Sequence, residues 1–166
     1  MTKDYIYLDY AASTPVDPRV FDRMRECCEA TCANPSSTHA AGRQAQDIIA
    51  SAAAEVAGLL NVDPKTLIWT SGATESDNLA IAGGARYRAH RGKHIVTMKT
   101  EHKAVTDVFD TLANEGFEVS WVDAGANGLL DPAKFEAALR DDTQFASIMF
   151  VNNETGVIQD IEALGT

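Results

Sequence analysis

Along this chain the spacing of apolar residues switches between helical and strand periods, and each switch marks an element. Apolar residues at 20, 21, 24, 27 and 28 keep helical spacing behind Asp17-Pro18, an N-cap followed by proline at the first helical position. An irregular polar loop, residues 33–39, leads to a longer helix from about Gly42. That helix places Ala45, Ile48, Ile49, Ala52, Ala53, Val56, Leu59 and Leu60 on one face. Leu67, Ile68 and Trp69 form a run suited to a short buried strand, and the helix after them runs to about Arg91 and stops at Gly92. His94 to Met98 reads as a second strand. Val105, Val108, Phe109 and Leu112 mark the next helix, closed by Gly116 at a C′ position. Phe117 to Val122 is a third strand, Asn127-Gly128 a turn, and Asp131-Pro132 the cap of a short helix through Leu139. Residues 145–151 form a fourth strand that ends in Asn152-Asn153-Glu154. Ahead of all these lies a short extended arm, Tyr5 to Tyr10, followed by a loop to Pro15.

Strands alternating with helices predict an α/β fold with a mainly parallel sheet covered on both faces. In such sheets ligands gather beyond the carboxyl ends of the strands. Three polar sets fall there: Ser71 to Thr74, Glu101-His102 and Asn152-Asn153. The first set organises the chain. Small residues between a strand and a helix let a backbone approach a ligand, and the helix points its unpaired N–H groups at that ligand. A phosphate suits the place, with the hydroxyls of Ser71 and Thr74 as extra ligands. The plainer reading stays open, with Thr74 as an N-cap and Glu75 and Asp77 satisfying the helix dipole. It is not a P-loop, because the second glycine and the Lys-Ser/Thr pair are missing. His102 reads equally as a helix cap or surface imidazole, and Asn152-Asn153 as turn residues.

Composition changes this picture only at its edges. In 166 residues, 45% are hydrophobic and 23% charged, which is the globular norm. A net charge of −10 argues against a nucleic-acid surface. No apolar run reaches bilayer length, and the first residues carry no signal-peptide or transit pattern, so a cytoplasmic protein without membrane contact is expected. Cys27, Cys28 and Cys32 read as buried, reduced thiols. Cys28 and Cys32 are spaced i, i+4, but no further ligand stands near enough in sequence to make a metal site, and none is expected. Asp160 to Leu164 looks like the opening turn of a further helix, which reads as a fragment of a larger domain.

Taken in order, several segments resemble the cysteine desulfurases, members of the class-V branch of the pyridoxal-phosphate-dependent aminotransferases. The resemblance rests on Tyr7 to Pro15, on Asn34-Pro35-Ser36-Ser37 with His39, and on Thr70 to Ala80. It continues through Thr100 to Val105, Arg140-Asp141-Asp142-Thr143 and Val151 to Gly156. It implies the N-terminal part of a fold type I enzyme, with residues 1–15 as an arm contributed to the small domain and 16–166 as part of the large cofactor-binding domain. It further implies pyridoxal 5'-phosphate held by Ala73 and Thr74 at the phosphate, His102 stacked on the ring and assisting proton transfer, and Asn153 near the ring hydroxyl and the substrate. The implied reaction takes L-cysteine to L-alanine and leaves the sulfur as an enzyme persulfide. The implied partners are a second copy in a homodimer and a sulfur acceptor, either an iron–sulfur scaffold or a tRNA-thiolation protein. The family's cofactor-anchoring lysine and its loop cysteine match nothing in residues 1–166, so this chain alone is expected to be inactive. Lys103 belongs to the histidine motif and is expected to point outward. A selenocysteine lyase, or a non-catalytic half that docks on a complete desulfurase, remains the alternative.

Overall fold

Three parallel strands carry the part of the molecule that matters for function. The computed structural model describes residues 6–165, so the first residue of the expected arm, Tyr5, lies outside them. The chain divides into two compact units, one up to Trp69 and one from Thr70.

The first unit holds α1 (Pro18–Ala30), α2 (Ala40–Leu60) and a 3₁₀ turn, Pro64–Thr66. Asp17 caps α1 as expected, accepting from Arg19 N–H at 2.8 Å. His39 caps α2 through Nδ1, which accepts from Gly42 N–H at 3.2 Å, so the helix starts two residues earlier than its apolar spacing suggests. Among the described residues of this unit only Gly42, Ala45 and Ala57 are buried. Of the apolar face expected on α2, Ala45 alone is buried, and Ile49, Leu59 and Leu60 are exposed. The expectation of buried thiols is also corrected. Cys27 is half-buried and Cys28 exposed on α1, which buries none of its residues, and Cys32, just after that helix, is exposed as well.

The expected strand at Leu67 to Trp69 does not form. Leu67 is extended (φ −76°, ψ 129°), but Ile68 and Trp69 stand 73% and 61% exposed. A β-forming run becomes a strand only when a neighbour takes its N–H and C=O groups. Among the described residues no ladder reaches this one.

The second unit has strand order β2-β1-β3, with β1 (His94–Met98) between β2 (Glu118–Val122) and β3 (Thr143–Ser147), all parallel. One helical run precedes β1: α3 (Ala73–Asp77), a π-helical segment Asn78–Ala82, and α4 (Gly83–Arg88), with helical dihedrals at both junctions. α5 (Lys103–Asn114) joins β1 to β2, α6 (Pro132–Ala138) joins β2 to β3, and α7 (Ile161–Leu164) follows β3. Val105, Val108, Phe109 and Leu112 of α5 are all buried, as their spacing predicts. Gly116 closes that helix at φ +87°, the left-handed geometry expected of a C′ glycine.

β1 sends alternate residues to two cores. Ile95 joins Ile81, Ala85, Phe109 and Leu112 on one face, and Val96 and Met98 join Leu130 and Phe135 on the other. The helical run ending in α4 comes close to β3, since a Cβ on Gly84 would lie 3.1 Å from the Phe145 ring. The fourth expected strand is corrected in its bounds. β3 begins at Thr143 and ends at Ser147, and residues 148–151 leave the sheet. They leave because Met149 N–H donates to the Glu101 carboxylate, while Val151 bridges Ile158 in a separate turn.

At the amino end of the sheet His94 is 1% exposed and touches both neighbouring strands. Its Nδ1 lies 2.7 Å from Thr143 Oγ1 and its Nε2 2.8 Å from Ser120 Oγ. Thr143 Oγ1 also accepts from Arg140 N–H at 2.7 Å, so its own hydrogen is free to donate to Nδ1. The pair is therefore satisfied by a neutral ring. Burial pushes the His94 pKa below its usual value, Arg140 adds to this, and Asp142 and Glu118 oppose it. Because the folded pKa lies below the unfolded one, the unfolded chain takes up the proton first as pH falls. Stability contributed by His94 is thus full above the unfolded pKa of about 6.5 and is lost as pH drops through it. The urea midpoint is expected to fall between about pH 7.5 and 5.5, with a shallower slope in His94→Gln.

Candidate functional site

β1 and β3 are adjacent, and the chain leaves their carboxyl ends toward opposite faces. After β1 it enters α5, which packs on the Phe109 side. After β3 it reaches α7, whose Leu164 packs on the Val96 side. A crevice opens between two such exits in an open α/β sheet. Here it is a pocket of about 360 Å³ lined by Ala73, Asp77, Glu101, His102, Val105, Ser147, Ile148, Met149 and Asn153.

Ala73 is the first residue of α3, behind Gly72, which caps without a side chain. The expectation of Thr74 as N-cap is thereby corrected, since Thr74 is the second helical residue. Thr70 fastens the turn, with its hydroxyl 2.6 Å from Ser76 Oγ and donating to Gly72 C=O at 3.2 Å. The Glu75 carboxylate reaches back to Ser71, accepting from its N–H at 2.8 Å and from its hydroxyl. Those two bonds hold the Glu75 carboxyl below the usual carboxylate range. They also occupy the Ser71 hydroxyl, so Ser71 is not the extra anion ligand it was expected to be. The N–H groups of Ala73 and Thr74 are left without an acceptor among the described residues. Glu75 therefore tightens the turn without covering its first helical amides.

His102 is the N-cap of α5 and accepts from Ala104 N–H at 3.0 Å through Nδ1. That bond assigns the hydrogen of the neutral ring to Nε2. The helix-cap reading of His102 is correct, and the same residue also lines the pocket. Lys103 is exposed and pairs with Asp107 at 2.7 Å, outside the pocket, as expected.

The two asparagines divide their work. Asn152 Oδ1 accepts from the N–H groups of Glu154 and Thr155, and its Nδ2 donates to Thr100 C=O at 2.9 Å. Asn153 lines the pocket, and its amide makes only a 3.3 Å bond to Glu154. Sequence reasoning saw Glu101 as a polar neighbour of His102 but missed that it and Asp77 face the pocket. Burial pushes the Glu101 carboxyl up, the Met149 N–H bond opposes this, and the charge of Asp77 adds to it. No lysine or arginine lines the pocket among the described residues, so the backbone amides at the start of α3 stand out as donors toward an anion.

Ala73, His102 and Asn153 come from three separated segments and meet in one crevice, while Thr74 stands beside Ala73 on the same helical turn. The family model described as aminotransferase class-V matches residues 6–166. The chain belongs to the class-V aminotransferases. It is similar to a cysteine desulfurase IscS of Stutzerimonas stutzeri (strain A1501), 55% identical over an alignment of 163 residues, with 96% of this chain and 40% of that protein covered. Among solved structures it resembles a NIFS-like protein (35% identity, TM-score 0.93), with 96% of this chain and 44% of that one covered. It also resembles SspA in complex with cysteine (38%, TM-score 0.89; 96% and 46% covered). The chain thus spans less than half the length of the class-V aminotransferase relatives it matches. Pyridoxal phosphate is the cofactor of this family. No described helix is long and apolar enough to cross a membrane.

Proposed function

We propose that the crevice between β1 and β3 binds pyridoxal phosphate, and that the chain is the N-terminal part of a cytoplasmic, homodimeric cysteine desulfurase. In this reading residues 1–15 serve the small domain and residues 16–166 the large one. The observation that carries the reading is the meeting of Ala73, His102 and Asn153 at one pocket, next to helix-start amides that have no acceptor among the described residues.

The residues present fit the cofactor. The Ala73 and Thr74 N–H groups and the Thr74 hydroxyl suit a phosphate at the positive end of a helix that runs on to Arg88. The imidazole of His102 offers a flat face to a ring, and Nε2–H is the position from which it would give a proton. The amide of Asn153, weakly engaged within the protein, suits a ring hydroxyl or the substrate carboxylate. When bound, the cofactor supplies an electron sink for bonds at the α-carbon of an amino acid. With L-cysteine, the C–S bond breaks, the sulfur passes to an enzyme thiolate as a persulfide, and L-alanine leaves. The persulfide would then serve an iron–sulfur scaffold or a tRNA-thiolation protein.

Residues 1–166 by themselves are proposed to be inactive. No lysine lines the pocket among the described residues, and Cys27, Cys28 and Cys32 match none of the family's catalytic loop. A helix-end contact of about 0.3–2 kcal/mol does not replace a covalent anchor.

Ala73→Pro tests the phosphate contact. Proline is at ease at a first helical position, and Gly72 before it is extended, so the change removes one N–H and little else. Titration of the 166-residue chain is expected to show pyridoxal phosphate and inorganic phosphate both weakened roughly 10-fold, with an unchanged urea midpoint. Equal affinity in the variant and the parent would reject the site.

A further inference from the structure

The β1–β3 ladder ends at Thr97 and Ser147, short of every pocket residue that follows those strands. Beyond it the two exits are held together by side chains. The Glu101 carboxylate accepts from Met149 N–H, and Asn152 Nδ2 donates to Thr100 C=O at 2.9 Å. His102 is fixed on the β1 side by its cap to Ala104, and Asn153 follows Asn152 on the β3 side. The spacing between the imidazole and the Asn153 amide is therefore set across the crevice by these two straps. Of the two, Glu101 alone faces the pocket. It is half-buried, and its interaction survives a change of protonation, because a neutral carboxyl keeps a carbonyl oxygen that accepts as well.

We propose that Glu101 is a positioning residue: by holding Met149 N–H it sets the gap between His102 and Asn153, and so governs how the ring end of the ligand fits while leaving the phosphate end at Ala73 alone. This rests on the pyridoxal phosphate reading above. It assigns Glu101 no proton transfer and no contact with reacting atoms.

The test uses the 166-residue chain with Glu101→Ala, which removes the acceptor, and Glu101→Gln, which keeps a carbonyl oxygen at the same reach. Amide exchange is followed at Met149 and at Val96 in the middle of β1. Affinities are measured for pyridoxal phosphate and for inorganic phosphate. In Glu101→Ala the Met149 amide is expected to exchange roughly 10-fold faster and pyridoxal phosphate to bind roughly 10-fold more weakly. Val96 exchange and phosphate affinity are expected to stay within about 2-fold, and Glu101→Gln to restore both parent values. Unchanged Met149 exchange would overturn the proposal. So would parallel acceleration at Val96, equal weakening of both ligands, or failure of glutamine to restore. If the alanine variant does not fold, Glu101→Asp, one methylene too short to reach, takes its place with the same expectations. A parent chain whose Ala73 amide ignores both ligands would sink the cofactor reading, while Met149 exchange would still decide the strap.

Discussion

Replacing Phe109 by alanine is expected to cost about 3–5 kcal/mol of unfolding free energy, the largest effect of any substitution considered for this chain. Phe109 is 0% exposed and packs in the core that α5 shares with the helical run before β1 and with Ile95 of β1. Its ring centroid lies 5.9 Å from that of Trp121 on β2 at a tilt of 57°, so the change also removes an aromatic pair. Domains of this size have about 5–15 kcal/mol in total, so the variant should sit near the edge of folding. The site suffers with it, because α5 carries His102 at its start. Urea unfolding followed by tryptophan fluorescence measures the loss. A cost below about 1 kcal/mol would mean that this core is not what holds α5 to the sheet.

Gly92→Ala is expected to be the next most damaging change, at about 1–3 kcal/mol. A Cβ at Gly92 would lie 2.4 Å from the carbonyl oxygen of Asp142 and 3.0 Å from its Cβ, so the backbone itself must move. Gly92 precedes β1 and Asp142 precedes β3, and the push would strain the hydrogen bond from Thr143 to His94. Gly83→Ala is the control, since a Cβ there meets nothing within 4 Å. A Gly92→Ala midpoint equal to that of Gly83→Ala would show that the close approach costs nothing in solution.

Gly92 also illustrates what the sequence makes legible. It reads as the stop of a helix running to about Arg91, whereas α4 already ends at Arg88 and a turn spans 89–91; its close approach to Asp142 depends on a residue fifty positions away that no local pattern reveals. The same limit explains the other differences. β1 and α5 follow from apolar spacing because their partners lie within the second unit. Leu67 to Trp69 has the composition of a strand, but a strand needs a neighbour, and local composition cannot supply one. β3 stops at Ser147 because the Glu101 side chain takes Met149 N–H, a contact across 48 positions. At the site, the residues implied by resemblance, Ala73, His102 and Asn153, are brought together, while the hydroxyl read from spacing alone, Ser71, is taken by Glu75. The roles of Asn152 and Asn153 were not separable by residue type. Only the turn geometry shows that the first is spent inside the protein, while the second lines the pocket with a single 3.3 Å bond to Glu154 among the described residues.

The most direct measurement is a residue-by-residue amide map of the 166-residue chain as pyridoxal phosphate is added. The signals of Ala73, Thr74, His102 and Asn153 are expected to move together along one binding curve, while His94 and Glu118 at the opposite end of the sheet stay still. Signals that move elsewhere with those four unmoved, or Ala73 and His102 following two separate curves, would contradict that expectation.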